Sequence, residues 1–303
     1  MTETRGADWA FDRYETIRPR LPAASFPSAA RHADTLEDTF DDFDAYILDG
    51  FGVLNVGGTA ISGAVERVAA MRAAGKAVVV LTNAATQPPQ GAVAKYDGLG
   101  FTFTSDDIVS SRDVAVAALG AFPADLTWGV TAAGAASMQG LPIRTVALED
   151  DPAAYEAMDA VLFLSSDAWS DARQARLAEA LAVRTRPVVV ANPDLVAPRE
   201  EGLTLEPGHY AHELADAGLC VPQFFGKPFP NAFAAVMQRL GPGAPPRSRI
   251  AMVGDTLHTD ILGGAAAGWG TILVAEHGLF KGRDVAGYIA RSGIVPDVVV
   301  RTT

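Results

Sequence analysis

The chain has 303 residues, enough for two domains, with 49% hydrophobic and 20% charged residues and a net charge of −12. A surface this acidic repels nucleic acid and anionic lipid, which excludes both as partners. The single cysteine, Cys220, excludes an intrachain disulfide and suits a reducing cytosol; no apolar run approaches a membrane span, and Met1 to Arg20 lacks an apolar signal core, so a cytoplasmic location is expected.

Residues 1–40 show no clear period and read as a partly ordered N-terminal arm, with an acidic stretch from Ala33 to Asp44 that suits a short helix leading into the fold. Order begins at Ala45-Tyr46-Ile47-Leu48, a short apolar run that stops at Asp49-Gly50 and reads as a buried parallel strand ending in a carboxylate. After a stretch rich in glycine (Gly52, Gly57, Gly58, Gly63), Val65 to Ala74 has helical spacing with Gly75 as its cap. Ala77 to Leu81 is a second buried strand, ending at Thr82-Asn83. Strand, helix, strand is the unit of a doubly wound parallel sheet.

Gln90 to Leu99 and Asp106 to Leu119 are predicted helices. From about Leu126 the character changes. Leu126–Thr131, Arg144–Leu148, Ala160–Ser165 and Pro187–Ala191 read as four strands, with a helix from Ser170 to Val183 before the last, a separate α/β module. Asn192-Pro193-Asp194 and Glu206-Pro207-Gly208 punctuate its end. The first pattern then returns: helix Pro230–Leu240, strand Ile250–Val253 ending at Gly254-Asp255, helix Asp260–Ala267 closed by Gly268, strand Thr271–Val274, and a last strand at Asp297–Val300. The expected domains are an arm (1–40), an α/β core (41–123 and 209–303) and an α/β cap inserted at 124–208.

In open α/β sheets, ligands bind outside the carboxyl ends of the strands. Three such ends here carry functional groups: Asp49, Thr82-Asn83 and Gly254-Asp255. One aspartate after a strand is readily explained as a helix N-cap; three polar ends that converge are not. Asp49, Asp255 and Asp260 would gather at one edge, where carboxylates a few ångströms apart cannot all stay ionised without compensation. Lys227 supplies one positive charge, and a hard divalent cation is the simplest source of the rest; Mg²⁺ suits a site of one or two carboxylates plus phosphate oxygens.

These residues resemble a known family. Asp49-Gly50-Phe51-Gly52-Val53-Leu54 looks like the first motif of the haloacid-dehalogenase superfamily, Leu81-Thr82-Asn83 like the second, Gly226-Lys227-Pro228 like the third, and Gly254-Asp255-Thr256-Leu257-His258-Thr259-Asp260-Ile261 like the fourth. The module between the second and third motifs, Ile61-Ser62-Gly63-Ala64 and Asn192-Pro193-Asp194 are similar to the NagD-like branch, class IIA. That resemblance implies a doubly wound core with a cap of the C2 type, and phosphatase activity on a small phosphorylated metabolite. It implies Asp49 as the nucleophile that forms an aspartyl-phosphate. Mg²⁺ would be held by Asp49, the Phe51 carbonyl and Asp255, with Asp260 behind the ion or Lys227. Thr82, Asn83, Lys227 and Gly50 would bind the phosphoryl group or fix the loops around it. Cap-to-cap dimers are common in that branch, so the resemblance leaves a homodimer open, and the sequence does not fix the oligomeric state.

One position departs from the pattern. Two residues after the nucleophile the phosphatases carry an aspartate that protonates the leaving oxygen; here it is Phe51, which exchanges no proton. General acid–base help is typically worth roughly 10² to 10⁴ in rate. A subgroup of the NagD-like branch with an aromatic in this slot is similar. Two alternatives follow: metal-independent dehalogenation, and a weakened enzyme serving as a metabolite-binding regulator. Against the first stand the intact acidic fourth motif and the position of the cap; against the second, the retention of Asp49, Thr82, Lys227, Asp255 and Asp260. His209, His258 and His277 are candidates for the missing acid because histidine titrates near neutrality, although a capping or surface role explains each as well. Asp167 and Trp169, after a cap strand, are candidates to touch the substrate.

Overall fold

The structure, a computed structural model, describes residues 6–199 and 202–303. Seven strands form one fully parallel sheet in the order Arg31–Thr35, Val298–Thr302, Gly270–Val274, Ile250–Gly254, Ala45–Leu48, Ala77–Thr82, Ile108–Ser110. The central strands are buried along their length because helices cover both faces. Alternation divides their side chains: Tyr46, Leu48, Val78 and Val80 pack into one apolar layer, Ala45, Ile47, Val79 and Leu81 into the other. Each large side chain buried this way contributes roughly 1.5–3 kcal/mol relative to exposure. The doubly wound core expected from the sequence is what folds.

A second, five-stranded parallel sheet runs Gln223–Phe224, Val188–Val190, Ala160–Phe163, Thr127–Thr131, Arg144–Ala147. Its four longer strands are those read from the sequence, and its edge strand comes from chain beyond residue 208. The helix Pro207–Asp216 packs on this sheet too, with Tyr210, Ala211 and Leu214 against Val188 and Val190. A short antiparallel pair, Val196–Arg199 with Gly202–Leu205, lies in the connection.

Three sequence expectations need correction. Asp106–Leu119 is not one helix: a 3₁₀ turn at Ser105–Asp107 leads into the strand Ile108–Ser110, and Ser110 then caps a helix over Ser111–Ala118 through the Asp113 N–H. Ala33–Asp44 holds the end of strand Arg31–Thr35 and a 3₁₀ turn, Leu36–Thr39, closed by a Thr35/Asp38 capping box. The N-terminal arm, beyond residues 1–5, which lie outside the described part, is ordered. Ala7–Ile17 is a helix whose buried face is Ala7, Ala10, Phe11, Tyr14 and Ile17.

That helix touches both sheets' elements. On the core side Tyr288 Oη donates to Asp8 (2.6 Å) and Arg291 pairs with Asp12 (2.6 Å). Toward the smaller sheet, Arg13 pairs with Asp216 (2.5 Å), which also takes Arg20 from the 3₁₀ turn that follows the helix (2.7 Å), and Trp9 meets His209 edge-on. The exposed ion pairs contribute little singly; the apolar stripe, packed on Leu257, Ile261, Leu273, Phe280 and Tyr288, holds the helix down. Among the described residues no helix is long and apolar enough to cross a membrane.

Candidate active site

Three adjacent strands at the middle of the large sheet deliver the site. Ile250–Gly254, Ala45–Leu48 and Ala77–Thr82 lie side by side and parallel, so Asp255, Asp49 and Thr82-Asn83 emerge together at one edge. The Asp49 N–H still donates to the Val253 carbonyl (2.9 Å), which fixes the nucleophile loop to the sheet. Gly52, three residues beyond Asp49, has φ +76°, and a Cβ there would come within 2.6 Å of Asp255. Only glycine lets the loop turn this close to the second acid.

Asp49 Oδ1 accepts from its neighbour's N–H, Gly50 (2.7 Å), and from Lys227 Nζ (2.6 Å). The same ammonium reaches Asp260 Oδ1 at 2.8 Å. Lys227 and Asp260 are 1% and 0% exposed, so this is a charge triad with two buried members and Asp49 partly open to the cavity. Asn83 positions it: its Oδ1 accepts the Lys227 N–H (2.7 Å), and its Nδ2 donates to the Lys227 carbonyl (2.9 Å) and to Asp194 Oδ1 (2.8 Å). Burial alone would lower the pKa of Lys227, but the Asp260 and Asp49 carboxylates more than offset that and hold it above the ordinary lysine value.

Asp255 lies behind this triad, its Oδ1 accepting from Thr256 Oγ1 (3.0 Å) and its Oδ2 from the Leu279 N–H (2.7 Å). One carboxylate oxygen from each of Asp49, Asp255 and Asp260 falls within 4.8 Å of the others. Burial, and then the neighbouring carboxylates, push Asp255 above the usual range; burial does the same for Asp260 against the pull of Lys227. A π-helical turn, Leu257–Ile261, presents Asp260 from below, and the Thr256 N–H binds its Oδ2 (3.1 Å). An all-oxygen set with excess negative charge fits a hard divalent cation.

The sign of the linkage gives a test. The folded chain holds protons on these carboxyls from the ordinary aspartate value, about 3.9, up to their raised values, where the unfolded chain has already released them. Stability of the metal-free protein therefore falls as pH rises through that window. A cation binds the deprotonated form. Mg²⁺ added to EDTA-treated protein should raise the melting temperature more at pH 8 than at pH 5, read by calorimetry; an equal or reversed order would refute the cation assignment.

Above the acids opens a cavity of about 380 Å³, lined among others by Asp49, Phe51, Thr82, Asp255, Lys95 and Tyr14. The sequence-derived residues Asp49, Gly50, Phe51, Thr82, Asn83, Lys227, Asp255 and Asp260 are all brought to this edge. The histidines are not. His258 faces away, stacked on Tyr14 (5.0 Å) with Nε2 2.5 Å from Glu15; His209 faces Glu213 (3.2 Å) and His277 faces Thr302 (2.7 Å). None lines the cavity, whereas Asp167 does. Trp169 spends its indole N–H on Gln174 (2.9 Å). Cys220 is buried and its thiol is pushed up to about 11 by burial.

Among the cavity residues given no role in the sequence reading are Tyr14, Asp194 and Lys95. Tyr14 reaches the site from the N-terminal helix, and its hydroxyl accepts the Leu195 N–H (3.1 Å). Asp194, read as loop punctuation, is a cavity carboxyl that burial holds well above the usual aspartate range, with Lys227 opposing and Asp49 adding. Lys95 places its Nζ 4.4 Å from the centre of the Phe51 ring. The apolar spacing 7, 10, 11, 14, 17 was a signal for the first; nothing in the local pattern marks Lys95.

Comparison with known proteins agrees with this geometry. A family model described as haloacid dehalogenase-like hydrolase matches residues 46–137, and one for related hydrolases of the same superfamily matches residues 224–301. A D-glycerol 3-phosphate phosphatase of Mycobacterium tuberculosis is 31% identical over 245 residues, covering 77% of this chain and 63% of that protein, so the match spans less than two thirds of the relative's length. A possible sugar phosphatase from Cytophaga hutchinsonii superposes with a TM-score of 0.79 at 24% identity, over 90% of this chain and 98% of that one. A glycerol phosphate phosphatase from Mycobacterium tuberculosis, crystallised with magnesium, superposes with a TM-score of 0.63 at 26% identity, over 78% and 69% of the two chains.

Proposed function

This chain belongs to the haloacid dehalogenase-like hydrolases, and on that premise we propose that it is a Mg²⁺-dependent phosphatase of a small phosphorylated metabolite, working through an aspartyl-phosphate on Asp49. The observation that carries the reading is the Asp49–Lys227–Asp260 triad beside Asp255, at the ends of three adjacent strands.

Phosphoryl transfer needs little covalent chemistry beyond the nucleophile; it needs positioning and neutralised charge on the equatorial oxygens. Lys227 holds Asp49 Oδ1, which aims the carboxylate and leaves Oδ2 as the attacking oxygen. Thr82, the Gly50 N–H and Lys227 are the donors for the phosphoryl group, and Asn83 keeps Lys227 in place. Asp49, the Phe51 carbonyl and Asp255 would hold Mg²⁺, with Asp260 behind; the ion would supply positive charge where the phosphoryl oxygens gather. The magnesium complex of the mycobacterial glycerol phosphate phosphatase supports this assignment by similarity. Dehalogenation without metal would leave Asp255, buried beside Asp49 and Asp260, with no cation of its own, and is the weaker reading.

The test is inorganic phosphate release from a panel of phosphomonoesters, with and without EDTA. No metal-dependent release from any ester, activated aryl phosphates included, sinks the proposal. Phe51 adds a second expectation. Phe51→Asp restores a proton donor at the leaving oxygen, so rates on alkyl phosphates should rise by about 10²-fold and those on aryl phosphates by much less. Equal changes on both would show that proton transfer is not what Phe51 limits.

A further inference from the structure

The helix Pro89–Gly98 brings Lys95 to the cavity wall over Phe51, the residue two after Asp49. Lys95 Nζ lies 4.4 Å from the centre of the Phe51 ring and 5.0 Å from that of Tyr96. Lys95 and Phe51 both line the cavity that contains Asp49 and Thr82. The next residue on the helix pins it. Tyr96 is 1% exposed, packed edge-on against Phe101 and Phe103, and its hydroxyl lies where a Cβ on Gly50 would come within 2.6 Å. Lys95 is thus carried on a fixed helical turn, one residue from a ring wedged under the nucleophile loop. A cation over an aromatic face is held there by the ring's quadrupole.

We propose that Lys95 is a catalytic residue of this site: its ammonium, resting on Phe51, receives the departing oxygen as an anion. The substrates it favours are then phosphoryl compounds whose leaving oxygen is a weak base, namely acyl, enol and aryl phosphates and phosphoanhydrides. The proposal rests on the phosphotransfer reading of the Asp49 edge. In the first step an Asp49 oxygen bonds to phosphorus and the bond from phosphorus to the leaving oxygen breaks. The electron pair stays on that oxygen, which pairs with Lys95, and no proton leaves the protein. In the second step water adds to phosphorus, the Asp49 oxygen departs as carboxylate, and the water's proton passes to solvent. Phe51 donates nothing; it orients the cation and keeps water off that side.

The experiment compares the full-length wild type with Lys95→Ala and Lys95→Arg, at saturating Mg²⁺, on acetyl phosphate, p-nitrophenyl phosphate, phenyl phosphate and glycerol 3-phosphate. Lys95→Ala should lower kcat by about 10- to 10²-fold on these substrates with KM little changed. It should also steepen the dependence of log kcat on leaving-group pKa. Lys95→Arg should keep the wild-type slope. An unchanged slope overturns the proposal, as does a loss carried entirely by KM, which would make Lys95 a reader of some other anionic group on the substrate. Trapping of BeF₃⁻ at Asp49 in Lys95→Ala confirms that the site is intact when kcat falls. If the wild type neither releases phosphate nor traps BeF₃⁻, the phosphotransfer reading itself has failed; if it does both and the slope is unmoved, only the role of Lys95 has.

Discussion

Asp49→Asn is expected to lower turnover by about 10⁴-fold or more on every phosphoryl substrate, with the fold intact. The carboxamide matches the carboxylate in shape, and the Gly50 N–H and Lys227 Nζ that now bind Oδ1 can bind an amide oxygen instead. What is lost is the nucleophile. Because Asp49 is partly exposed at the cavity floor, removing its charge costs little stability. The same substitution should abolish trapping of BeF₃⁻, a readout independent of turnover. Phosphate release that survives Asp49→Asn within tenfold would mean that the reaction runs without covalent attack from this residue.

Lys227→Met is expected to cost about 3–5 kcal/mol of folding stability, measured in EDTA at pH 8 by urea denaturation. The methionine fills a similar volume, so the loss is electrostatic rather than a cavity. Asp260, fully buried, and Asp49 lose the one ammonium that both contact. An uncompensated buried carboxylate neutralises by taking a proton. Its folded pKa rises further, and the deficit should shrink as pH falls toward the ordinary aspartate range. Adding Asp260→Asn to Lys227→Met should recover part of the loss at pH 8, since it removes the orphaned charge. A midpoint at pH 8 that does not move would show that the triad carries no net stability.

The strands that position the site were legible because they are buried on both faces. Ala45–Leu48, Ala77–Thr82 and Ile250–Gly254 are unbroken apolar runs, and each stops at a polar residue where the chain leaves the sheet. The strand Ile108–Ser110 was not legible. Three residues show no alternation, and they run directly into a helix whose own spacing absorbs them. The helix Ala7–Ile17 has a proper apolar stripe, but two of its five buried positions are alanine and its other face mixes acids with arginine, which dilutes the signal. Lys95 and Tyr96 were hidden for a different reason. Their helix buries only Tyr96, so its sequence reads as a solvated surface, and the partners that matter, Phe51 and Gly50, are more than forty positions away in sequence. Sequence patterns report periodic burial within an element; they do not report which loop a side chain meets across the fold.

The helix Ala7–Ile17 has a consequence for how the molecule can open. Its apolar stripe is sealed to the large sheet's helices, while Arg13 and Tyr14 are fastened to Asp216 and Leu195, on the chain that builds the smaller sheet. The two layers are therefore riveted by a third piece as well as hinged by their own connecting segments. They cannot part as rigid slabs unless this helix lets go of one of them, and because Tyr14 is also part of the cavity wall, whichever side is released changes the shape of the entrance.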